Sequence, residues 1–393
     1  MNNETEARPE SERRLPSQSN WIKFNKAETA EERVCFGGFE YPLYSDVKIT
    51  GELASDLGPY QILNAVPFDT VKSGEVVLTL RTFIFDDLDF HRQGLNDLKT
   101  NTELYHGGHL AEEITALISL GLGIRLKSGD ANRRFDGSDP YGRFNAHRWS
   151  PAPSISLGLR KPIMPMPEYV SVDELRPRLE SIPKLKAGLY IELVRAARAY
   201  QDALWISESE PHMAWLLFIS SLEIAANARH TQSGTPAENL KELKPKLAEL
   251  LESAGGSELL GAAAEDLKAL FGATKKFLMI CEQFMPPPPP NRPSLEGMRV
   301  EWTWQSLKKI LNTVYNLRSK ALHAGVPFPA PMCRSPDNWH EDRMPAERAI
   351  TALATTTLNG RWVPDDAPIA LHTFHYIVRG VLLRWWDEIA ITE

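Results

Sequence analysis

The sequence predicts an N-terminal α+β domain followed by a mostly α-helical bundle. Three observations carry that division. Residues 75–85, EVVLTLRTFIF, concentrate β-branched and aromatic side chains and read as a strand. The segment 150–168, SPAPSISLGLRKPIMPMPE, holds five prolines. Proline fixes φ and removes a backbone donor, so no long helix runs through it. From residue 187 onward apolar side chains recur at helical spacing. The expected organisation is a disordered tail over 1–20, a mixed domain over 21–165 and a helical domain over 166–393.

The tail, MNNETEARPESERRLPSQSN, is polar and charged and lacks the apolar core of a secretory signal. In the mixed domain, frequent Gly and Pro (FGGFEYP, LGPYQ) suit short strands and loops. HLAEEITALISLGLG (109–123) places Leu110, Ile114, Leu117 and Ile118 at helical spacing, with acids in its first turn. It is expected to lead into a strand at IRLKSGD, with another at SISLGLR (154–160). The stretch SGDANRRFDGSDPYGRF (128–144), with Arg133, Arg134 and Arg143, reads as a solvated polar loop, with phosphate contact as the alternative.

In the helical domain, Leu189, Leu193, Ala196, Tyr200 and Ala203 form one stripe, and Leu216, Ile219, Glu223 and Ala226 another. ELLGAAAEDLKALF and TKKFLMICEQF continue the pattern until MPPPPPNRP breaks it with a stiff extended connector. Helix resumes over 301–323 and stops at the four prolines of AGVPFPAPMCRSP. A last helix carries Leu371, Phe374, Val378, Val381 and Trp385 on one face. The sum is a bundle of about five helices interrupted by long loops.

Bulk properties exclude several classes. A chain of 393 residues with a net charge of −7 does not bind nucleic acid through its whole surface, although a local basic site remains open. Cys35, Cys281 and Cys333 are too few and too scattered for a disulfide framework, which favours a reducing compartment. No apolar run reaches the ~20 residues of a membrane span, so no membrane association is expected and the location is expected to be cytoplasmic. There is no Walker loop, no GxGxxG after a strand, no HExxH and no GxSxG. His106, His109, Glu112 and Glu113 lie close in sequence, and His109 and Glu113 have ligand spacing. A loop position for His106 and the ordinary preference for first-turn acids argue against metal, so neither a metal nor a cofactor is assigned. Cys333 and His340 flank a proline-rich loop and count as packing. Trp385 reads as core, and Trp302, Trp304 and Trp386 as rings for stacking on bases or for a dimer interface.

The most informative stretch is YNLRSKALHAG, residues 315–325. The seam Leu307, Leu311, Val314, Arg318, Ala321 steps by four, three, four and three residues, so Arg318 takes a core or interface position. A guanidinium there needs an acid, a phosphate or a wet cleft. His323 follows five residues later, about 140° around an ideal helix, while Ser319 and His323 share a face. Gly325 suits a C-cap. Lys308, Lys309, Arg318 and Lys320 oppose one acid, Glu301, over residues 300–325.

This Arg-x4-His arrangement with its flanking Tyr, Leu and Gly resembles the signature of HEPN domains, and of the Apea-like HEPN group in particular. The helix WLLFISSLEIAANA resembles the Leu-Glu helix that precedes the motif, and the likeness spans roughly residues 187–393. The resemblance implies a HEPN-like bundle acting as a homodimer in bacterial defence or toxin activity, as a metal-independent endoribonuclease. By it, His323 is the general acid or base and Arg318 holds the scissile phosphate. Glu223 partners Arg318 or orients His323, with Ser319 and Lys320 supporting. RNA or a nucleotide is the implied partner. The other reading the resemblance allows is a non-catalytic HEPN-like scaffold that dimerises or binds nucleotide.

Overall fold

The computed structural model describes residues 13–28, 35–54, 57–64, 75–85, 100–136, 139, 141–145, 150–155, 161–229, 235–338, 343–351 and 359–391. They form two compact units. The first comprises 1–160, 165–209 and 386–393, the second 161–164 and 210–385. A sheet-bearing N-terminal region is followed by a mostly helical C-terminal part, as expected.

The first unit is built on an antiparallel sheet. Its strands are β1 (Gly37–Ser45), β3 (Tyr60–Asn64), β4 (Glu75–Ile84), β5 (Lys127–Ser128), β6 (Arg133–Phe135) and β7 (Arg143–Phe144). The order is β3-β4-β1-β6-β7, with β5 also pairing β1. Beside it, β2 (Lys48–Thr50) and β8 (Tyr169–Ser171) form a parallel pair. The predicted strand over 75–85 is β4, whose register with β1 shifts between Leu43 and Tyr44, just after Pro42. A proline in a paired strand lacks a ladder donor, and a bulge beside it absorbs the loss.

Helix α2 (Leu110–Leu122) is buried along nearly its whole length. Its bounds follow from its ends. His109 and Glu112 form a capping box, and Gly123 closes the helix at φ 72°, its N–H donating to Ser119 O. Helix α4 (Ala187–Ile206) packs on α2 and buries the predicted Leu193, Ala196, Tyr200 and Ala203. This helix therefore completes the first unit's core rather than opening the helical bundle, and the boundary expected near 165 is not where the compact units divide.

Helix α1 (Pro16–Glu28) corrects the expected tail over its last five residues. The buried residues of α1 are mostly polar, and each finds a partner. Gln18 Nε2 donates to Ile182 O (3.0 Å) and Leu185 O (2.7 Å), and Asn20 Nδ2 to Phe83 O (2.9 Å). Ser17 N donates to Glu113 Oε2 (3.0 Å), whose other oxygen meets His106 Nε2 at 2.9 Å. Ser17 Oγ also lies 2.6 Å from the Tyr190 hydroxyl, whose pKa rises well above its usual value through burial and the nearby Glu113 carboxylate. Arg125 is equally buried between Asp46 (2.6 Å) and Glu208 (2.7 Å), and its Nε donates to Leu204 O. Buried charges persist only with such pairing. Trp386, expected at an interface, is fully buried in this unit and donates to Ser181 Oγ. The residues read as a solvated loop over 128–144 instead supply β6 and β7. The expected strand 154–160 lies mostly outside the described residues, and residues 154–155 form no strand.

The second unit holds α5 (Pro211–Arg229), α6 (Pro236–Leu243), α7 (Pro245–Phe284), α8 (Trp304–Ala324) and α9 (Leu371–Ile391) as far as Trp385. Helix α7 is kinked at Gly255–Gly256, the latter at φ 68°. After it the five prolines run without helix or strand. Pro286 O accepts from Trp302 Nε1 (3.0 Å) and Pro287 O from the Tyr376 hydroxyl (3.1 Å). The core centres on Trp215 of α5, stacked between Phe328 (centroids 5.3 Å) and Phe374 (4.8 Å). All five residues expected on one face of α9 are buried. Among the described residues no helix is long and apolar enough to cross a membrane.

Candidate active site

Helix α8 owes its form to an apolar seam and two caps. Leu307, Ile310, Leu311, Val314 and Tyr315 are its buried residues. Thr303 Oγ1 accepts from Ser306 N at the start. Gly325 sits at φ 66°, in the left-handed region glycine favours, and its N–H donates to Lys320 O. The next segment is pinned at once, because Phe328 is buried on Trp215 and Met332 O accepts from Trp215 Nε1 (3.2 Å). The motif thus lies in the last two turns of a helix held at both ends.

The seam predicted Arg318 facing inward, and its side chain is 23% exposed, at the margin of the core. Glu223 of α5 is its partner. Arg318 NH2 donates to Glu223 Oε2 at 3.0 Å, and the Tyr315 hydroxyl donates to Glu223 Oε1 at 2.7 Å. The guanidinium lies over the Tyr315 ring, 5.6 Å from its centroid. One carboxylate therefore ties together two positions three residues apart on α8, the spacing that puts them on one face. Burial first, then the bond to Glu223, pushes the Tyr315 phenol pKa up. In the sequence Tyr315 stands only as a residue flanking the Arg-x4-His pattern. Its i−3 position from Arg318 was the available signal.

The guanidinium is not fully satisfied. Its Nε is buried and has no hydrogen-bond partner among the described residues. With the Nε enclosed, a phosphate oxygen meets the guanidinium through the exposed remainder of the side chain, whose charged donors suit it.

The remaining predicted residues lie further out. Ser319 is half-buried, and Lys320 and His323 are exposed. His323 stands in the last turn of α8. Of the two roles open to Glu223, the structure displays the bond to Arg318, while no contact from Glu223 to His323 is found among the described residues. The helix is continuous between residues 318 and 323, so the two side chains leave it about 140° apart with a rise of about 7.5 Å. Leu322 and Val326, beside the histidine, are 52% and 50% exposed.

The other clusters take structural roles. His106 pairs with Glu113, whereas His109 lies 3.6 Å from Glu112 and caps α2. Among the described residues no three His, Cys, Asp or Glu side chains gather as a metal site. Cys333 Sγ lies 3.3 Å from His212 Nδ1, and His340 lies outside the described residues. Burial raises the Cys333 thiol to about 12 and lowers the His212 imidazole. Both therefore stay neutral near pH 7.

Comparison with known proteins returned no matching family model, no matching curated protein and no matching solved structure.

Proposed function

We propose that this chain is a HEPN-like endoribonuclease that works as a homodimer without a bound metal, with Arg318 and His323 as its reacting pair. The observation that carries the reading is the Glu223–Arg318–Tyr315 cluster, with an unpartnered guanidinium Nε inside it and an exposed histidine just beyond. Glu223 and Tyr315 fix the guanidinium, which then receives a phosphate without first being ordered, and preorganised donors are what stabilise developing charge.

The chemistry follows from the residue types. His323 takes the proton of a ribose 2′-hydroxyl, whose oxygen attacks the adjacent phosphorus. The bond to the 5′-oxygen breaks, and that oxygen leaves after receiving a proton from a protonated histidine. Arg318 offsets the charge gathering on the non-bridging oxygens. The products are a 2′,3′-cyclic phosphate and a 5′-hydroxyl. One protomer points Arg318 and His323 in different directions, which supports a site completed by a second copy. The exposed Leu322 and Val326 offer apolar surface at the same helix end.

RNA cleavage in EDTA by the wild type, His323→Ala and Arg318→Ala tests the proposal. Loss of cleavage in both variants is expected, by 100-fold or more for His323→Ala. Equal cleavage by all three would assign the activity to a contaminant. A second reading is favoured by the Arg318–Glu223 ion pair itself, because an internally paired arginine suits a non-catalytic scaffold. Inactivity of all three proteins, together with retained dimerisation, would select that scaffold.

A further inference from the structure

The β6–β7 hairpin carries an arrangement that the fold does not explain. Its register places Arg134 directly opposite Arg143, and Arg133 opposite Phe144. Like charges directly opposite on adjacent strands repel, so the first pair costs the sheet stability. Little offsets it. Arg134 reaches Asp136 only at 3.7 Å and otherwise lies 6.0 Å over the Phe39 ring. Arg143 is exposed and has no acidic partner among the described residues. The nearest turn acid is occupied, since Asp139 Oδ1 accepts from the backbone N–H groups of Tyr141 and Gly142.

Exposed aromatic rings lie on the same hairpin, Tyr141 just before β7 and Phe144 on the face opposite Arg143, across from Arg133. Tyr141 is 83% and Phe144 71% exposed. Phe144 ends a row that runs across one sheet face through Arg133, Glu40, Arg81 and Gln61. In that row one carboxylate is shared by two arginines. Arg81 binds Glu40 Oε1, and Arg133 lies 3.3 Å from Oε2. The row carries excess positive charge in a chain whose net charge is −7.

We propose that this hairpin binds single-stranded RNA. Exposed, weakly paired guanidinium groups fit phosphates, and open aromatic rings stack on unpaired bases, a combination that a base-paired duplex does not satisfy. An acidic peptide would use the charges but not the rings. β7 is only two residues long, too short to template an added strand. The choice of RNA rests on the ribonuclease reading above, whereas the cation-and-ring surface does not.

Fluorescence anisotropy of a labelled 12-nucleotide single-stranded RNA, in a His323→Ala background of the full chain, tests it. Arg134→Ala with Arg143→Ala should weaken binding at least tenfold and lower the log–log salt slope by about 1.4, near 0.7 per lost phosphate contact. Tyr141→Ala with Phe144→Ala should weaken binding several-fold at unchanged slope. Arg134→Lys with Arg143→Lys should keep the slope. The double alanine change should not lower Tm, because it removes the repulsion, whereas the lysine pair keeps both charges. Binding unchanged in the hairpin variants would overturn the proposal, and so would displacement of the RNA by poly-glutamate at equal charge. RNA binding lost in the hairpin variants, without cleavage by the wild type, would support the hairpin and sink the ribonuclease reading alone.

Discussion

Glu223 is the residue on which the site turns. Its carboxylate holds Arg318 and Tyr315 together, and the pair is largely enclosed, with the acid 18% exposed. Removing it leaves a guanidinium and a phenol without their acceptor. Glu223→Ala should destabilise the protein by about 1–3 kcal/mol, seen as a lower urea midpoint at constant slope. A Glu223→Ala/Arg318→Ala cycle should give a coupling on the order of 1 kcal/mol. Additive effects would mean the ion pair contributes nothing. A second prediction concerns His372, half-buried near the start of α9 with its Nδ1 enclosed and unpartnered among the described residues. Burial lowers its pKa to about 4, against a smaller opposing effect of Glu347. The unfolded chain, with a histidine pKa near ~6.5, therefore binds the proton more readily. The stabilising effect of the neutral folded imidazole is complete above ~6.5 and is lost as pH falls through about 4, a span of about 3 kcal/mol. His372→Leu should flatten the acid limb of a Tm-against-pH curve, and an unchanged limb would refute the assignment.

Among the elements, α8 ends where chemistry is proposed to begin. The Gly325 cap at φ 66° faces open space, so Gly325→Ala meets no clash and costs only backbone strain, about 1–2 kcal/mol. Because the cap closes the turn that carries His323, the same change should reduce RNA cleavage. Gly256→Ala, at φ 68° in the kink of α7 and equally open, serves as the control that loses stability without losing cleavage. The legibility of each element depends on what its buried face is made of. β4 is readable from its β-branched and aromatic content, and α2 from Leu110, Ile114, Leu117 and Ile118 at helical spacing. α1 is not, since Ser17, Gln18 and Asn20 are buried by hydrogen bonds that no periodicity displays. β6 and β7 hid in a sequence rich in Asp, Gly and Asn. The helical character of α4 was plain, but its partner was not, because a stripe states that a face is buried and not against what. At the site, the seam through Val314 correctly turned Arg318 inward, and Glu223 was anticipated from its place on the α5 stripe. The part of Tyr315 was missed because a tyrosine in an apolar seam looks like core.

At the scale of the molecule, the proposed activity requires two copies. Sedimentation equilibrium should find a dimer, and Leu322→Asp with Val326→Asp should shift it to monomer and abolish cleavage together, since both side chains are exposed beside His323. A monomer that still cleaves would remove the second copy from the mechanism. The central claim is narrower, that His323 drives attack by a 2′-hydroxyl on a phosphodiester held by Arg318. Mass spectrometry of the cleavage ends, in EDTA, tests it most directly, with wild type beside His323→Ala on one RNA and on the same RNA bearing 2′-deoxyribose at the cut. The account predicts 2′,3′-cyclic phosphate and 5′-hydroxyl ends from the wild type on ribose alone, and none from the variant. Cleavage at the deoxyribose position, or 5′-phosphate ends, would contradict it.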